Sequence, residues 1–268
     1  MSRPENFVGR SVPRLEDRPL LLGQGRFAAD ISFPDQWHMR VVRSGVAHGK
    51  IKSIDASAAL KLPGVHAVWT AADVAHIPRI PFRLTRIERL TPYQQPVLAR
   101  DVVRYVGEPV AVVFAIDTYV AEDAAELVEV SIEPLRATLL ATEQPGVYEH
   151  ELTTEAGVVR KGYGDVEAAF RAAHAVVALE LSVGRHSGVP LETRGALARY
   201  DASRDILEMH GAAKVPHWNR DTLAQMLGRK RESVQLYEGH VGGGFGIRGE
   251  LYPEDILVCA AAKAMRGK

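Results

Sequence analysis

Hydrophobic and polar side chains alternate along the first part of the chain in a way that predicts short β-strands. Residues 37–44 and 50–57 each alternate, and residues 65–70 begin as a further strand. Between them, residues 55–64 predict a helix of about two turns, with Asp55 as its N-cap and a Pro-Gly pair as its end. The pattern therefore favours a mixed fold with several short strands.

The pattern changes twice before the middle of the chain. Residues 77–98 contain four prolines and follow neither period, which predicts a long surface loop of the kind that is often functional. Residues 102–117 then predict two strands, followed by an amphipathic helix capped by Thr118 and a third strand at 128–135. We interpret this part as one β-α-β unit with an added strand.

The second half combines further strands with helices. Asp165 and Asn219 are predicted N-caps, and Pro253 suits a first helical turn. The predicted elements are strands at 175–185, 190–201, 205–213 and 233–241, and helices at 166–174, 219–228 and 253–265.

A segment without a clear period, residues 136–157, indicates a domain boundary. We predict an α+β protein with an extended N-terminal arm at 1–25, a first module at 26–140 and a second module at 158–268. The last predicted helix, 253–265, follows a strand, and in this pattern of alternating elements a further strand is expected after it. We therefore expect this chain to be the first part of a larger unit.

Charge and composition exclude several classes of function. The 33 Lys and Arg balance 33 Asp and Glu, with no long run of one sign, so we expect no nucleic-acid partner. No segment approaches the roughly 18 apolar residues that span a bilayer, and the N-terminus is polar. The predicted compartment is the cytoplasm.

The metal-binding residues are sparse. Cys259 is the only cysteine, and its apolar surroundings predict a small buried residue; one thiol cannot hold an iron–sulfur cluster. None of the ten histidines forms a close pair of the metal-binding type. We predict no metal ligand from this chain.

The most unusual stretch is Gly242–Gly246, where four of five residues are glycine. Gly244 to Gly249 also fits the G-x-G-x-x-G dinucleotide fingerprint, but only 19 residues remain for the rest of that unit. A tight turn or bulge is a second interpretation. A third is a backbone cradle for a flat, phosphate-bearing cofactor, with Phe245 as a packing face.

Residues 241–255, VGGGFGIRGELYPED, resemble the first molybdopterin-contacting loop of the molybdenum hydroxylases, the large subunits of xanthine dehydrogenase, aldehyde oxidase and carbon monoxide dehydrogenase. Residues 9–31, 103–130 and 185–201 resemble three further blocks in the family's order. The resemblance implies an α/β hammerhead module followed by the beginning of a mixed α/β molybdopterin-binding domain.

The resemblance also implies site residues. In the family loop, main-chain groups at the positions of Gly243, Gly244, Phe245 and Gly246 lie near the pterin and the metal's oxo group. Lys214, 31 residues before Phe245, stands where xanthine-oxidase-like members carry a glutamine. Lys214 is thus a cofactor-binding candidate that could meet a phosphate or an acidic substrate group, or be a solvated lysine.

The family's purine-oxidising branch has an acidic residue four places after the phenylalanine. Here that place holds Gly249, with Glu250 one place later. We therefore predict no purine specificity, and consider a helix-cap or salt-bridge role for Glu250, Glu254 or Asp255 at least as suitable.

By resemblance, the cofactor is molybdopterin or molybdopterin cytosine dinucleotide with molybdenum. The reaction inserts water-derived oxygen at a C–H of an aldehyde or N-heteroaromatic. The expected partners are a [2Fe–2S] subunit, an FAD subunit and the C-terminal part of the large subunit, which carries the family's general-base glutamate. Two alternatives stay open: a non-catalytic cofactor-holding or assembly module, and an NAD-binding Rossmann protein.

Overall fold

The computed structural model describes residues 7–265. Residues 1–6 of the predicted arm and residues 266–268 of the predicted second module lie outside the described residues. Within the arm, helix α1 (Asp17–Leu21) follows a turn in which the Arg14 backbone amide donates to the Asp17 carboxylate at 3.0 Å. The sequence predicted an extended arm, but this helix shows that the arm is not extended throughout.

The first module is built from two three-stranded sheets with the orders β1-β5-β3 and β4-β2-β6, and their strand pairs are antiparallel. Its elements are β1 (His38–Arg43), β2 (Gly49–Asp55), β3 (Val65–Thr70), β4 (Val102–Val103), β5 (Pro109–Ala115), α2 (Thr118–Glu126) and β6 (Glu129–Pro134). The predicted β-α-β unit is wrong here, because β5 and β6 belong to different sheets.

Strand β5 lies between β1 and β3, and its seven residues are all apolar and all buried. Residues 77–98 are irregular, as predicted, with a 3-10 turn at Glu88–Tyr93.

Two predicted caps in this module are wrong. The cap of α2 is Asp117, whose carboxylate accepts from the Tyr119 and Val120 amides. Asp55 accepts instead from the Ser57 amide, closing a local turn before a three-residue 3-10 helix at Ala59–Lys61.

The second half contains the β-α-β unit. Strands β10 and β11 pair in parallel and are connected by helix α4, and β9 pairs with β10 antiparallel. The elements are β7 (Val147–Glu149), β8 (Leu152–Thr153), α3 (Val166–Ala172), β9 (Ala196–Asp201), β10 (Ile206–Gly211), α4 (Pro216–Met226), β11 (Val234–Tyr237) and α5 (Pro253–Ala264).

Some predictions for the second half are confirmed and others are wrong. Asp165 caps α3 through the Ala168 amide, and Pro253 opens α5. Asn219 is not a cap: α4 begins earlier, at Pro216, and Asn219 is buried inside it. The strand predicted at residues 175–185 has no regular structure.

One apolar cluster joins the two halves. Val112 and Phe114 of β5 share it with Leu207 of β10 and with Ile256 and Leu257 of α5. Side chains on the other face of β5 belong to a separate cluster with α2, since successive strand residues point to opposite faces. The second module is thus packed directly on the central strand of the first.

Across residues 7–265, no helix combines the length and the apolar character needed to cross a membrane.

Candidate functional site

The glycine loop, which we define as Gly242–Gly246, lies between β11 and α5 and is followed by a 3-10 turn at Ile247–Gly249. Its backbone is left-handed at Gly243 (φ 106°), Phe245 (φ 43°) and Gly246 (φ 94°). For Phe245 this conformation costs on the order of 1–2 kcal/mol. The surrounding structure must therefore hold the loop in place.

Gly242 and Gly243 pack against residues 190–192. A Cβ at Gly242 would overlap the Cβ of Glu192, and a Cβ at Gly243 would lie 3.2 Å from Pro190 Cβ and 2.9 Å from the Phe245 ring. The Glu192 amide donates to the Gly242 carbonyl at 3.2 Å. Contacts within the chain therefore explain these two glycines.

Gly244 and Gly246 face open space. A Cβ at either position would meet no atom within 4 Å. Within residues 7–265, the backbone amides of Gly243, Gly244, Phe245 and Gly246 donate to no acceptor atom. A row of free amides on a turn with several left-handed residues is an anion-binding arrangement, so this face fits a cofactor that is contacted through the backbone.

A buried ion pair supports the loop from the opposite side. The guanidinium of Arg248 lies 3.0 Å from the Glu192 carboxylate and donates to the Gly243 carbonyl at 2.7 Å and the Glu192 carbonyl at 2.6 Å. The Glu192 carboxylate in turn accepts from the Gly242 amide at 2.8 Å and from the Ala28 amide at 3.3 Å. Only 3% of the Arg248 side chain is exposed.

The sequence pattern predicts neither member of this pair. Arg248 occupies one of the variable positions of the G-x-G-x-x-G spacing. Its position between Gly246 and Gly249 was the available signal, because a guanidinium can donate to several loop carbonyls at once.

Phe245 does not enter the core. Its side chain is 76% exposed, its ring lies beside Gly243, and its Cβ lies beside Gly188. The ring of Phe245 is therefore accessible to solvent.

Lys214 lies near the far end of the glycine loop. Its backbone amide donates to the Arg248 carbonyl at 3.0 Å, and its Cδ lies 3.6 Å from the Cβ position of Gly249. The residue is exposed, and among the described residues no carboxylate forms a salt bridge with its ammonium group. The structure therefore brings Lys214 to the same region as the loop and leaves its charge available.

The acidic residues after the loop have structural roles, as the sequence analysis considered. Glu250 forms a salt bridge of 2.9 Å with Arg83, which comes from the irregular loop at 77–98. Asp255 caps α5 by accepting from the Tyr252 amide at 2.9 Å. Burial raises the pKa of Asp255 to about 6.

A cavity of about 960 Å³ lies at the junction of the modules, between β1, β9 and α5. In its wall Glu254 pairs with Arg43 at 2.5 Å and Arg194 at 3.2 Å. Burial opposes ionisation of Glu254, but the two guanidinium charges outweigh it and hold the pKa of Glu254 below its usual value. The lining residues include neither the glycine loop nor Lys214, so this cavity is separate from the candidate site.

Groups of three or more His, Cys, Asp or Glu with metal-binding geometry are absent from residues 7–265. Cys259 is fully buried in α5, as predicted, and burial raises the pKa of its thiol. Such a protonated, enclosed thiol suits packing rather than metal ligation.

The dinucleotide fingerprint is a coincidence of spacing. In that motif the helix starts within the glycines and presents its N-terminus to the pyrophosphate. Here residues 247–249 form a 3-10 turn and α5 begins only at Pro253. The Rossmann interpretation is therefore not supported by the geometry.

Two family models match the chain in the order of its modules. Residues 22–136 match the "Aldehyde oxidase and xanthine dehydrogenase, a/b hammerhead domain" and residues 149–268 match the "Molybdopterin cofactor-binding domain". The glycine loop, Glu192, Lys214 and Arg248 all lie within the second match.

Proteins of similar sequence include two from Paenarthrobacter nicotinovorans. The 6-hydroxypseudooxynicotine dehydrogenase complex subunit gamma is 40% identical over 97% of this chain and 33% of its own length. The nicotine 6-hydroxylase large subunit is 38% identical, with 97% and 32% covered. Among solved structures, quinoline 2-oxidoreductase from Pseudomonas putida 86 has a TM-score of 0.84 and 36% identity, with 97% of this chain and 34% of that chain covered. The chain thus spans about a third of the length of these relatives.

Proposed function

The chain belongs to the family of molybdenum hydroxylase large subunits, and from this premise we propose that it holds a molybdopterin cofactor through its glycine loop. The observation that carries the proposal is Gly244. Its backbone is not left-handed and a Cβ there would touch nothing, so no contact within the described chain explains a glycine at this position. Close approach of an external group does.

The amides of Gly243 to Gly246 would donate to the polar groups of the cofactor, and Phe245 would pack against it. Fixed N–H dipoles of this kind stabilise developing negative charge without reorganising. Arg248 and Glu192 would keep the amides in place, and Lys214 would offer its free charge to a phosphate. When bound, the cofactor supplies the two-electron redox chemistry of C–H hydroxylation with oxygen from water.

For the substrate we propose an N-heteroaromatic compound, with an aldehyde as the alternative. Two relatives are named for nicotine and quinoline, whose rings contain nitrogen. Gly249 stands where the purine-oxidising branch has its acidic residue, and Glu250 is engaged with Arg83. This arrangement gives no support to a purine substrate.

For the partners we propose the remaining two thirds of the large subunit, a [2Fe–2S] subunit and an FAD subunit. The relatives' names describe a complex subunit and a large subunit, which fits a multi-subunit enzyme. The general base is proposed to lie in the remaining two thirds. A cytoplasmic location stays a prediction.

Metal and pterin analysis of the natively purified complex tests the function. We expect about one molybdenum and one pterin for each copy of this chain, together with [2Fe–2S] and FAD. Mass spectrometry of every chain should identify the sequence that carries the remaining part of the subunit. A complex without molybdenum, or one whose fluorescence reports NADH binding by this chain, would contradict the proposal.

A further inference from the structure

Residues 175–183, which we call the unpaired segment, have the sequence pattern of a strand without its structure. Within the described residues, no hydrogen bond involves a backbone atom of this segment. Its apolar side chains are strongly exposed: Val177 by 81%, Leu179 by 79%, and Leu181 and Val183 by 84% each. Consecutive free backbone groups are a template for pairing with another strand.

The alternation assigns the two faces that the segment would have as a strand. Val177, Leu179, Leu181 and Val183 would share one face, and Ala178, Glu180 and Ser182 would lie on the other. A continuous apolar face of this kind is suited to burial against a core, whereas exposure to water is unfavourable.

The nature of the missing partner follows from what such a strand requires. Two copies of the segment would form only a two-stranded ribbon, which leaves the apolar face open and is marginally stable. A sheet that also offers an apolar layer is needed. The relatives are about three times as long as this chain, and under the proposed function the remaining two thirds of such a subunit would provide it.

We propose that the unpaired segment becomes a β-strand by pairing with a sheet in the remaining two thirds of the large subunit. The inference rests on the proposed function only in taking the chain as part of such a subunit. Strand addition of this type gains affinity from main-chain hydrogen bonds and specificity from alternate side chains.

The pairing would also act on the glycine loop, because the chain continues directly from the unpaired segment into residues 188–192. These residues form the wall of the loop: a Cβ at Gly188 would lie 2.8 Å from Phe245 Cβ, and the Glu192 amide donates to the Gly242 carbonyl. Fixing the unpaired segment would therefore restrict this wall. We expect the cofactor-binding face to become rigid on assembly.

Hydrogen exchange measured on this chain alone and within the assembled complex tests the pairing. We expect the amides of residues 175–183 to exchange at least 100-fold more slowly in the complex. Equally fast exchange in both would overturn the proposal. Protection in the chain alone, accompanied by dimerisation in analytical ultracentrifugation, would also overturn it by identifying a second copy as the partner.

Two double variants separate the apolar face from general disruption. Leu179→Asn with Leu181→Asn should reduce the yield of complex at least tenfold, whereas Glu180→Asn with Ser182→Asn on the opposite face should leave the yield unchanged. Neither should alter the melting temperature of the chain alone, since Leu179 and Leu181 are exposed there. Equal yields for the two variants would refute the assignment of faces.

Molybdenum content provides an independent readout. A complex with protected residues 175–183 but no molybdenum would refute the cofactor proposal and support the strand pairing. A complex that contains molybdenum but leaves residues 175–183 unprotected would support the cofactor proposal and refute the strand pairing.

Discussion

Gly242 and Gly244 are separated by one residue, yet their surroundings differ completely. Beside Gly242 the Glu192 side chain already occupies the place of a Cβ, while the space beside Gly244 is open. The first glycine is therefore required for folding of the loop. The second has no such requirement within the described chain, so its substitution tests the proposed cofactor role separately from folding.

Gly244→Ala should leave the stability of the chain within about 0.5 kcal/mol and lower the molybdenum content of the purified complex at least tenfold, because the methyl group would project into the cofactor face. Urea unfolding and elemental analysis measure the two effects. The matched control is Gly242→Ala, which should destabilise the chain by about 1–3 kcal/mol through overlap with Glu192. Full molybdenum content in Gly244→Ala would argue against the cradle.

Arg248→Met should destabilise the chain by about 3–5 kcal/mol, because it leaves the Glu192 carboxylate without its partner in a largely buried place. Arg248→Lys should cost less but not restore the wild-type value, since an ammonium group lacks the fork that reaches several carbonyls. Urea unfolding measures both.

A control for Arg248 is the exposed pair of Arg204 and Asp201, whose closest atoms lie 3.8 Å apart. Arg204→Met should change the free energy of unfolding by less than about 1 kcal/mol. Equal effects of Arg248→Met and Arg204→Met would show that the Arg248 pair does not support the loop.

At the scale of the elements, most strands follow the sequence pattern where a partner strand is present. The exceptions are β7 and β8, which pair within residues 136–157, where no clear period predicted a strand. Alternation specifies which face a strand would bury but not whether a partner exists, and residues 175–185 show the consequence. For α4 the sequence held a better signal than Asn219, because Pro216 fits a first helical turn.

The sequence likewise predicts one part of the candidate site and not another. The glycine loop is visible in the sequence because its residues are contiguous. The contact of Arg248 with Glu192 joins residues 56 apart and depends on how residues 190–192 and the glycine loop meet in space. Periodicity carries no information on such a contact, so the sequence points to the glycine loop but not to the ion pair that supports it.

The first turn of α5 should make stability depend on pH. Burial raises the pKa of Asp255 from 3.8 to about 6 in the folded chain. Folding thus favours the protonated form of Asp255. Its stabilising contribution to the free energy of unfolding is complete below about pH 3.8 and is lost as the pH rises through 6. The shift corresponds to about 2–3 kcal/mol.

Asp255→Asn should remove this pH dependence while keeping an oxygen to accept from the Tyr252 amide. The measurement is the difference in unfolding free energy between wild type and variant from pH 4 to pH 7. Taking the difference removes the opposite contribution of carboxylates such as Glu254, whose pKa is lowered. A difference that does not change with pH would show that Asp255 titrates normally.

At the scale of the whole molecule, the two modules share a core and should unfold together. Phe114 of β5 is 3% exposed in the cluster that also contains α5. Phe114→Ala should destabilise both modules by about 3–5 kcal/mol, with one calorimetric transition. Hydrogen exchange in β3 and β10 would report the two modules separately. Two resolved transitions would show that the modules are independent.

The salt bridges across this junction have a consequence for engineering by recombination. Arg83 and Arg43 of the first module bind Glu250 and Glu254, which follow the glycine loop in the second. A chimaera that joins a hammerhead module from one relative to a cofactor domain from another inherits only one side of each bridge. Crossover positions must therefore be chosen so that both residues of each salt bridge, Arg83 with Glu250 and Arg43 with Glu254, come from the same parent. The donor of the first module thereby helps to determine how the glycine loop of the second is held.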